Sequence, residues 1–218
     1  MRIGTWNLEG RWSDEHASLM NDLDCDVWLL TEVSERLSMD GYHLHLSKGE
    51  MAQRRRWAAV LARTPMVPAR DPHPASAMAR VDGLTFCSSI LPWRSCGSRF
   101  PWIGEPHVHK TQATLAELDR TLPRSALVWG GDWNHALSGS EYVGSIGGRA
   151  HLLALLNGRG ICTPTAELPH RIETLLSIDH IAHTDDLKCE DAARFSSKRP
   201  DGRRLSDQDG YIAILTRP

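Results

Sequence analysis

Residues 26–33, DVWLLTEV, form a nearly continuous apolar run. A β-strand that is covered on both faces has this pattern, because polar residues do not alternate along it. Further strands are predicted at 3–8, 57–62, 77–81, 84–91, 126–129, 174–182, 187–193 and 211–215. Helices are predicted at 13–22, 110–122 and 149–157. Strands outnumber helices and often follow one another directly, which favours a sheet-on-sheet core flanked by helices over a doubly wound parallel sheet.

Glycine pairs and single glycines separate these segments. Asp82-Gly83 lies between two predicted strands and indicates a β-hairpin. Gly130-Gly131 is predicted to break the strand that begins at residue 126. Gly158 stands at the C-cap position of the last predicted helix.

The composition is typical of one globular domain. The chain has 218 residues, 41% hydrophobic and 24% charged, which excludes general disorder and predicts a single domain over 1–218.

No apolar run approaches the ~20 residues that cross a bilayer, so no membrane partner is expected. The five cysteines form no CxxC pair and residues 1–7 lack a signal-peptide apolar region, so we expect a cytoplasmic location. The net charge of −2 argues against non-specific coating of nucleic acid but allows a local basic groove. The oligomeric state stays open.

Polar residues close the predicted strands at five places. They are Asn7 with Glu9, Glu32, Asp132 with Asn134, Asp179, and Asp207. Each alone is typical of a turn cap or a solvent-facing side chain. A carboxylate that directly follows a buried run is costly to bury unless it is paired or metal-bound. Together they are the hard oxygen ligands that suit Mg²⁺ or Mn²⁺.

Five short motifs follow in order along nearly the whole chain: TWNLEG, LLTEV, GGDWNHAL, SIDHIAH and LSDQDGY. In this order the sequence resembles the endonuclease/exonuclease/phosphatase superfamily, the deoxyribonuclease I-like fold. The resemblance implies an α/β (α+β) fold, a four-layer sandwich of two facing mixed β-sheets flanked by helices. It also implies a metal-dependent phosphoesterase acting on DNA, RNA, phosphoinositides, sphingomyelin or dinucleotide-like substrates.

The resemblance assigns roles to the motif residues. It implies Mg²⁺ or Mn²⁺ ligands at Asn7, Glu9, Glu32 and Asp207, with Glu32 the principal one. Asp132 and Asn134 would align the attacking water and hold phosphate oxygens. Asp179 would orient the family's catalytic histidine.

That histidine is absent, because Ser206-Asp207 is followed by Gln208 where the family has Ser-Asp-His. A neutral amide replaces a group that can carry a full positive charge, and general acid–base catalysis alone contributes ~10²–10⁴-fold. Three explanations stay open: an introduced inactivating substitution, a natural relative that only binds, or another cation serving instead. The first is favoured because every other motif residue is intact.

Substrate contacts are predicted in the loops. In the predicted strand 84–91, Ile90 stands where family members often carry Tyr or His, and Arg94 just beyond it is a candidate phosphate contact or a plain surface residue. Trp93, Trp102 and Arg99 belong to an aromatic and arginine-rich loop suited to stacking on unpaired bases, although the tryptophans could equally pack over the sheet edge. The segment 194–204, which contains Arg203, is basic and predicted to overhang the site, with a solvated mobile loop as the alternative. His135, His180 and His183 are interpreted as structural.

The sequence therefore predicts a Mg²⁺-dependent hydrolase, a nuclease that cleaves DNA or RNA by in-line attack of water, impaired by Gln208. The alternatives are a phosphatase or phosphodiesterase for a small or lipid phosphate, and a non-catalytic binding relative. A nucleic-acid substrate is the expected partner.

Overall fold

The computed structural model describes residues 1–217, which form two β-sheets and three helices. The first sheet contains β1 (Arg2–Asn7), β2 (Val27–Ser34), β3 (His43–Leu46), β4 (Glu50–Ala52), β5 (Arg55–Ala62), β11 (Lys188–Phe195) and β12 (Gly210–Thr216). Its spatial order is β11–β12–β1–β2–β5–β3, with β4 also paired to β5. The β1–β2 pair is parallel, whereas β1 pairs with β12 and β2 pairs with β5 in antiparallel fashion, so the sheet is mixed.

The second sheet contains β6 (Val67–Pro68), β7 (Ser76–Val81), β8 (Leu84–Ser89), β9 (Leu127–Asp132) and β10 (Asp179–His183). Its order is β10–β9–β8–β7–β6, and the β8–β9 pair is parallel. The hairpin predicted at Asp82-Gly83 is confirmed, since it joins antiparallel β7 and β8 with φ values of 49° and 77°. The helices are α1 (Asp14–Leu23), α2 (His107–Thr121) and α3 (Ile146–Gly158). None of the helices in residues 1–217 is long and apolar enough to cross a bilayer.

Three apolar clusters define four layers. The central one lies between the sheets and joins Ile3 and Val60 of the first sheet to Phe86 and Val128 of the second. On the outer face of the first sheet, α1 packs through Met20 against tryptophan side chains. On the outer face of the second sheet, leucines of α2 and α3 pack around two further tryptophans. The predicted four-layer sandwich is confirmed.

Gly130 and Gly131 do not break a strand, contrary to the prediction, because β9 continues through both to Asp132. A Cβ on Gly130 would lie 2.5 Å from the carbonyl oxygen of His180, and one on Gly131 would lie 2.3 Å from that of Ser89. Glycine is therefore required at both positions, because the neighbouring strands approach too closely to leave room for a side chain.

Among the other boundaries that differ from the prediction, two change the role of the residues concerned. Residues 174–178 are a loop and not a strand, since Thr174 has a left-handed φ of 72° and Leu175 N–H closes a turn on the Ile172 carbonyl. Gly158 is the last residue of α3, and Gly160 (φ 63°) is the left-handed residue beyond it. Its N–H bonds to a carbonyl of the last helical turn, so Gly160 has the role predicted for Gly158.

Candidate active site

The predicted metal and catalytic residues converge where strands of both sheets end. Asn7 is the last residue of β1 and lies beside Thr31 of the parallel strand β2, next to Glu32. Asp132 ends β9 and pairs in register with Asp179, the first residue of β10. The packing of the two sheets thus brings one amide and three carboxyl groups to a single edge of the sandwich.

Hydrogen bonds link this group across the two sheets. Asn7 Nδ2 donates to Oε1 of Glu32 (3.1 Å) and to Oδ2 of Asp132 (2.9 Å). Gln208 Nε2 donates to the same Oδ2 of Asp132 (3.0 Å). Ser206 Oγ donates to the Asn7 carbonyl (2.6 Å), which fixes the segment before β12 on the end of β1. Gln208 is therefore a direct member of the cluster.

Glu9 and Asp207 lie at the rim. The backbone N–H of Asp207 donates to Oε2 of Glu9 (3.0 Å), while Glu9 Oε1 accepts from Arg11 (2.9 Å). Asp207 is exposed and Glu9 is half-buried. Both carboxyl groups are open to solvent beside the buried ones.

Burial sets the protonation of the buried carboxyl groups. It raises the pKa of Asp132 to about 6, although three donors act against the shift. It raises the pKa of Glu32, with the charges of Asp132 and Asp207 adding to the effect. Burial, and then the negative charges of its neighbours, raise the pKa of Asp179 well above its usual value. Without a cation, this edge holds more negative charge than it can stabilise.

A divalent cation fits this donor set. Asp179 is 1% exposed, yet within residues 1–217 neither of its carboxyl oxygens has a hydrogen-bond partner, and Oε1 of Gln208 is equally unpartnered. Within the same residues, no three His, Cys, Asp or Glu side chains are arranged to hold a metal ion by themselves. Mg²⁺ keeps several waters and takes only one or two carboxylates, so it does not need such a group. Glu32 offers one carboxylate, and the Asn7 amide oxygen, which accepts from Glu9 N–H (2.9 Å), has a second lone pair.

Three motif residues have a left-handed backbone. The φ angles of Glu9, Glu32 and Asn134 are 54°, 48° and 53°. Non-glycine residues with such angles cost about 1 kcal/mol or more each and cluster at functional sites. Asn134 is held there by two bonds: its N–H donates to Oδ1 of Asp132 (3.0 Å) and its Nδ2 donates to the Leu91 carbonyl (3.0 Å).

In the aromatic loop, one of the two tryptophans follows the packing alternative. Trp102 is 3% exposed and packs edge-on against Trp57 and Trp93, so its ring is not open to a base and supports the loop from within. Arg94 uses Nε and Nη2 on the Gly144 carbonyl (2.9 and 2.7 Å) and so ties this loop to the one after β9. The side chain is exposed and keeps its charge, so its phosphate contact stays a prediction. Trp93 is half-buried and Arg99 is exposed, which leaves both accessible.

Ion pairs hold the arginines of the basic segment 194–204. Arg203 pairs with Asp201 (2.9 Å), and Arg199 pairs with Glu15 of α1 and with Asp201. The five cations of the segment meet three acids, Asp201, Glu15 and Asp209, which leaves two positive charges in excess. The segment therefore keeps part of its predicted positive charge, while its arginines are held by ion pairs.

The buried Asp209 was missed as a site-supporting residue. It pairs with Arg194 and Arg204 and accepts from Ser197 N–H (3.0 Å), so it anchors the loop that carries Gln208. The only sequence signal was its position two residues after Asp207.

Tyr142 was also missed. Its hydroxyl donates to the Leu176 carbonyl (3.0 Å), which ties the loop after β9 to the loop before β10. Burial is the largest cause of the raised pKa of Tyr142, and the charges of nearby carboxylates raise it further.

The two mixed sheets, the four layers and the gathering of polar residues at one edge define the deoxyribonuclease I-like fold, that of endonuclease/exonuclease/phosphatase domains. The resemblance inferred from the five motifs is thus confirmed at the level of the fold. The sequence matches no protein-family model and no curated protein.

The fold is shared with several solved structures at low sequence identity. The endonuclease domain of TRAS1, a telomere-specific non-LTR retrotransposon, aligns with a TM-score of 0.69 at 15% identity, covering 99% of this chain and 97% of that domain. An endonuclease/exonuclease/phosphatase protein from Beutenbergia cavernae aligns at 0.71 and 13%, covering 100% and 71%. The AP endonuclease LMAP from Leishmania major aligns at 0.68 and 13%, covering 100% and 87%.

Proposed function

We propose that residues 1–218 form one domain that hydrolyses phosphodiesters with the help of Mg²⁺ or Mn²⁺, and that its substrate is DNA or RNA. The observation that carries the proposal is the buried carboxyl cluster, in which the carboxyl oxygens of Asp179 lack a hydrogen-bond partner within the described chain. Nucleic-acid endonucleases among the structural neighbours support the same substrate class. The five free cysteines support a cytoplasmic location.

Glu32 and Asn7 would hold the metal, with Glu9 or Asp207 completing its ligands from the rim. When bound, the metal supplies positive charge to the negative charge that develops on the phosphate. Asp132 would align the attacking water, and its pKa, which burial raises to about 6, suits a base that works near neutral pH. Asn134, fixed by its two hydrogen bonds, would position a phosphate oxygen with its remaining amide hydrogen.

Gln208 weakens this machinery in two ways. Its amide cannot carry the positive charge that a histidine would bring to the transition state. Its Nε2 also donates a hydrogen bond to Oδ2 of Asp132, the atom that would receive the proton. We therefore infer that hydrolysis by this chain is slow, and Gln208 supports a second candidate function, binding of the same substrate without cleavage.

The test is the variant Gln208→His, assayed with Mg²⁺ and Mn²⁺ on plasmid, linear DNA, RNA and bis(p-nitrophenyl) phosphate. We expect its rate to exceed that of the parent chain by ~10²–10⁴-fold, because histidine restores acid–base catalysis. The double variant with Glu32→Gln is the control and should lose the gained activity, which excludes a contaminating nuclease. Absence of metal-dependent hydrolysis on every substrate would reject the enzymatic proposal and leave the binding function.

A further inference from the structure

A second cavity lies away from the carboxyl cluster. It has a volume of about 510 Å³, within the usual range of small-ligand sites. Its walls come from the β3–β4 turn, the segment 70–74 before β7, the loop at Phe100 and the last turn of α2. None of the proposed catalytic or metal residues lines it. The function proposed above does not use this cavity.

Three cationic side chains of the cavity wall have no partner within residues 1–217. Lys48, Arg70 and Arg120 are all exposed, and their side chains make no ion pair or hydrogen bond there. The wall also holds two carboxylates, Asp71 and Glu117, so it has one positive charge in excess. Asp71 is held by two backbone N–H groups and a histidine ring rather than by these cations, whose side chains are therefore available to an anion.

An open aromatic ring stands beside these cations. Phe100 is 63% exposed, which is unusual for so large an apolar side chain. In the same loop, Trp102 lies nearly parallel to His73, with ring centroids 6.4 Å apart and 13° between the ring planes. Lys110 holds this loop by donating to the Gly97 carbonyl and to Glu105. The loop is thus anchored at its base while one aromatic face stays free.

We propose that this cavity is a nucleotide subsite, in which Phe100 stacks on a base and Lys48, Arg70 and Arg120 hold the attached phosphate. An aromatic face next to several unpaired cations is the arrangement that single-stranded nucleic acid requires. The inference rests on the proposed function, because the nucleotide would belong to a substrate strand that crosses the active edge. A free mononucleotide offers the same base and phosphate, and a comparison of AMP with the longer strands separates the two sources.

Hydrogen bonds at the end of β8 connect the cavity wall with the carboxyl cluster. Ile90 N–H donates to the Ala75 carbonyl (3.0 Å), beside the cavity segment 70–74. The next residue, Leu91, accepts from Asn134 Nδ2 in the active site (3.0 Å). Residues in direct contact therefore lead from the wall of the cavity to the active site, and we infer that one strand can reach both.

The test measures binding to the full chain in EDTA, so that nothing is cleaved. The probes are AMP and fluorescein-labelled 12-nucleotide single-stranded DNA and RNA. The variants are Arg70→Gln, Arg120→Gln and Phe100→Ala, with Arg80→Gln as the matched control, since Arg80 is also exposed but lies on β7 outside the cavity. Equal thermal unfolding midpoints would show that all variants fold.

We expect each cavity variant to weaken 12-mer binding roughly tenfold, while Arg80→Gln leaves it unchanged. Each arginine removed should lower the slope of log K against log salt by about 0.7. If the cavity variants weaken AMP binding by the same factor while neither 12-mer binds, the subsite is confirmed as a site for a free nucleotide. That result would contradict the proposed nucleic-acid substrate.

Two results would overturn the subsite. One is that the 12-mers bind all variants equally, which leaves the proposed nuclease function intact. The other is that neither AMP nor a 12-mer binds at all. In that case the Gln208→His activity screen still tests the proposed function, since hydrolysis at the carboxyl cluster does not depend on these three side chains.

Discussion

Asn7 is the residue on which the carboxyl cluster depends most directly. One amide group donates to Glu32 and Asp132 at once, and so keeps two negative groups of different sheets at a fixed separation. The side chain is 1% exposed, so water cannot replace it. Its role in the metal-free protein is to reduce the repulsion within the cluster.

We expect Asn7→Leu to lower the free energy of unfolding by about 1–3 kcal/mol in EDTA, because it removes the side-chain donor to Glu32 and one of the three donors to Asp132. Urea unfolding measures the loss. Asn21→Ala, an exposed change in α1, should stay within about 0.5 kcal/mol of the parent chain. Equal effects of the two substitutions would contradict the role assigned to Asn7.

At the scale of elements, motif recognition predicted most of the residues that meet at the active edge, since each ends or flanks a strand. It did not predict where their neighbours point. Trp102 and Arg94 share one loop with Arg99, and only the folded chain shows that the first is buried and the second is tied to Gly144. The short strands β3, β4 and β6 were missed because a few edge residues leave almost no periodic signal.

The glycine pair in β9 gives an element-scale prediction. Gly131→Ala should destabilise the chain by about 2 kcal/mol or more, because φ is 116° there and the new Cβ would meet the backbone of Ser89 at 2.3 Å. Gly158→Ala is the matched control at the end of α3, where a Cβ meets nothing within 4 Å, and it should stabilise by about 0.4–1 kcal/mol. Guanidinium unfolding compares the two. A Gly131→Ala protein as stable as the parent would show that the strands can separate to admit the Cβ.

At the scale of the whole molecule, the excess of tryptophan, eight residues against three Phe and three Tyr, becomes intelligible. Trp6, Trp28, Trp129 and Trp133 are fully buried where the helices pack on the outer faces of the sheets. The composition alone could not place them, because a tryptophan in a motif string can belong to the core or to the site.

Buried histidines make the stability of the whole chain sensitive to acid. Burial lowers the pKa of His73, His170 and His180 to about 4, against 6.5 for an ordinary histidine. The folded state thus favours the neutral rings, and their stabilising contribution, complete above pH 6.5, is lost as pH falls towards 4. Asp132 and Glu32, with raised pKa values, act in the opposite direction in EDTA.

The variant His73→Asn isolates one of these groups, because Asn can still accept the Ala75 N–H bond now made by Nδ1 (3.1 Å). We expect its free energy of unfolding to fall less steeply than that of the parent chain between pH 6.5 and 4. Urea unfolding at several pH values in EDTA gives the difference, in which the carboxyl contributions cancel. Identical pH profiles would mean that His73 is protonated equally easily in the folded and unfolded chains.

The two basic regions lie at opposite ends of the first sheet, 194–204 beside β11 and Lys48 beside β3. The arginines of the first are held in ion pairs, whereas the side chain of Lys48 makes none within residues 1–217. A strand cleaved between them would leave one fragment held and the other free. Turnover on long strands would then be limited by departure of the held fragment, and short substrates that end before the cavity would turn over faster.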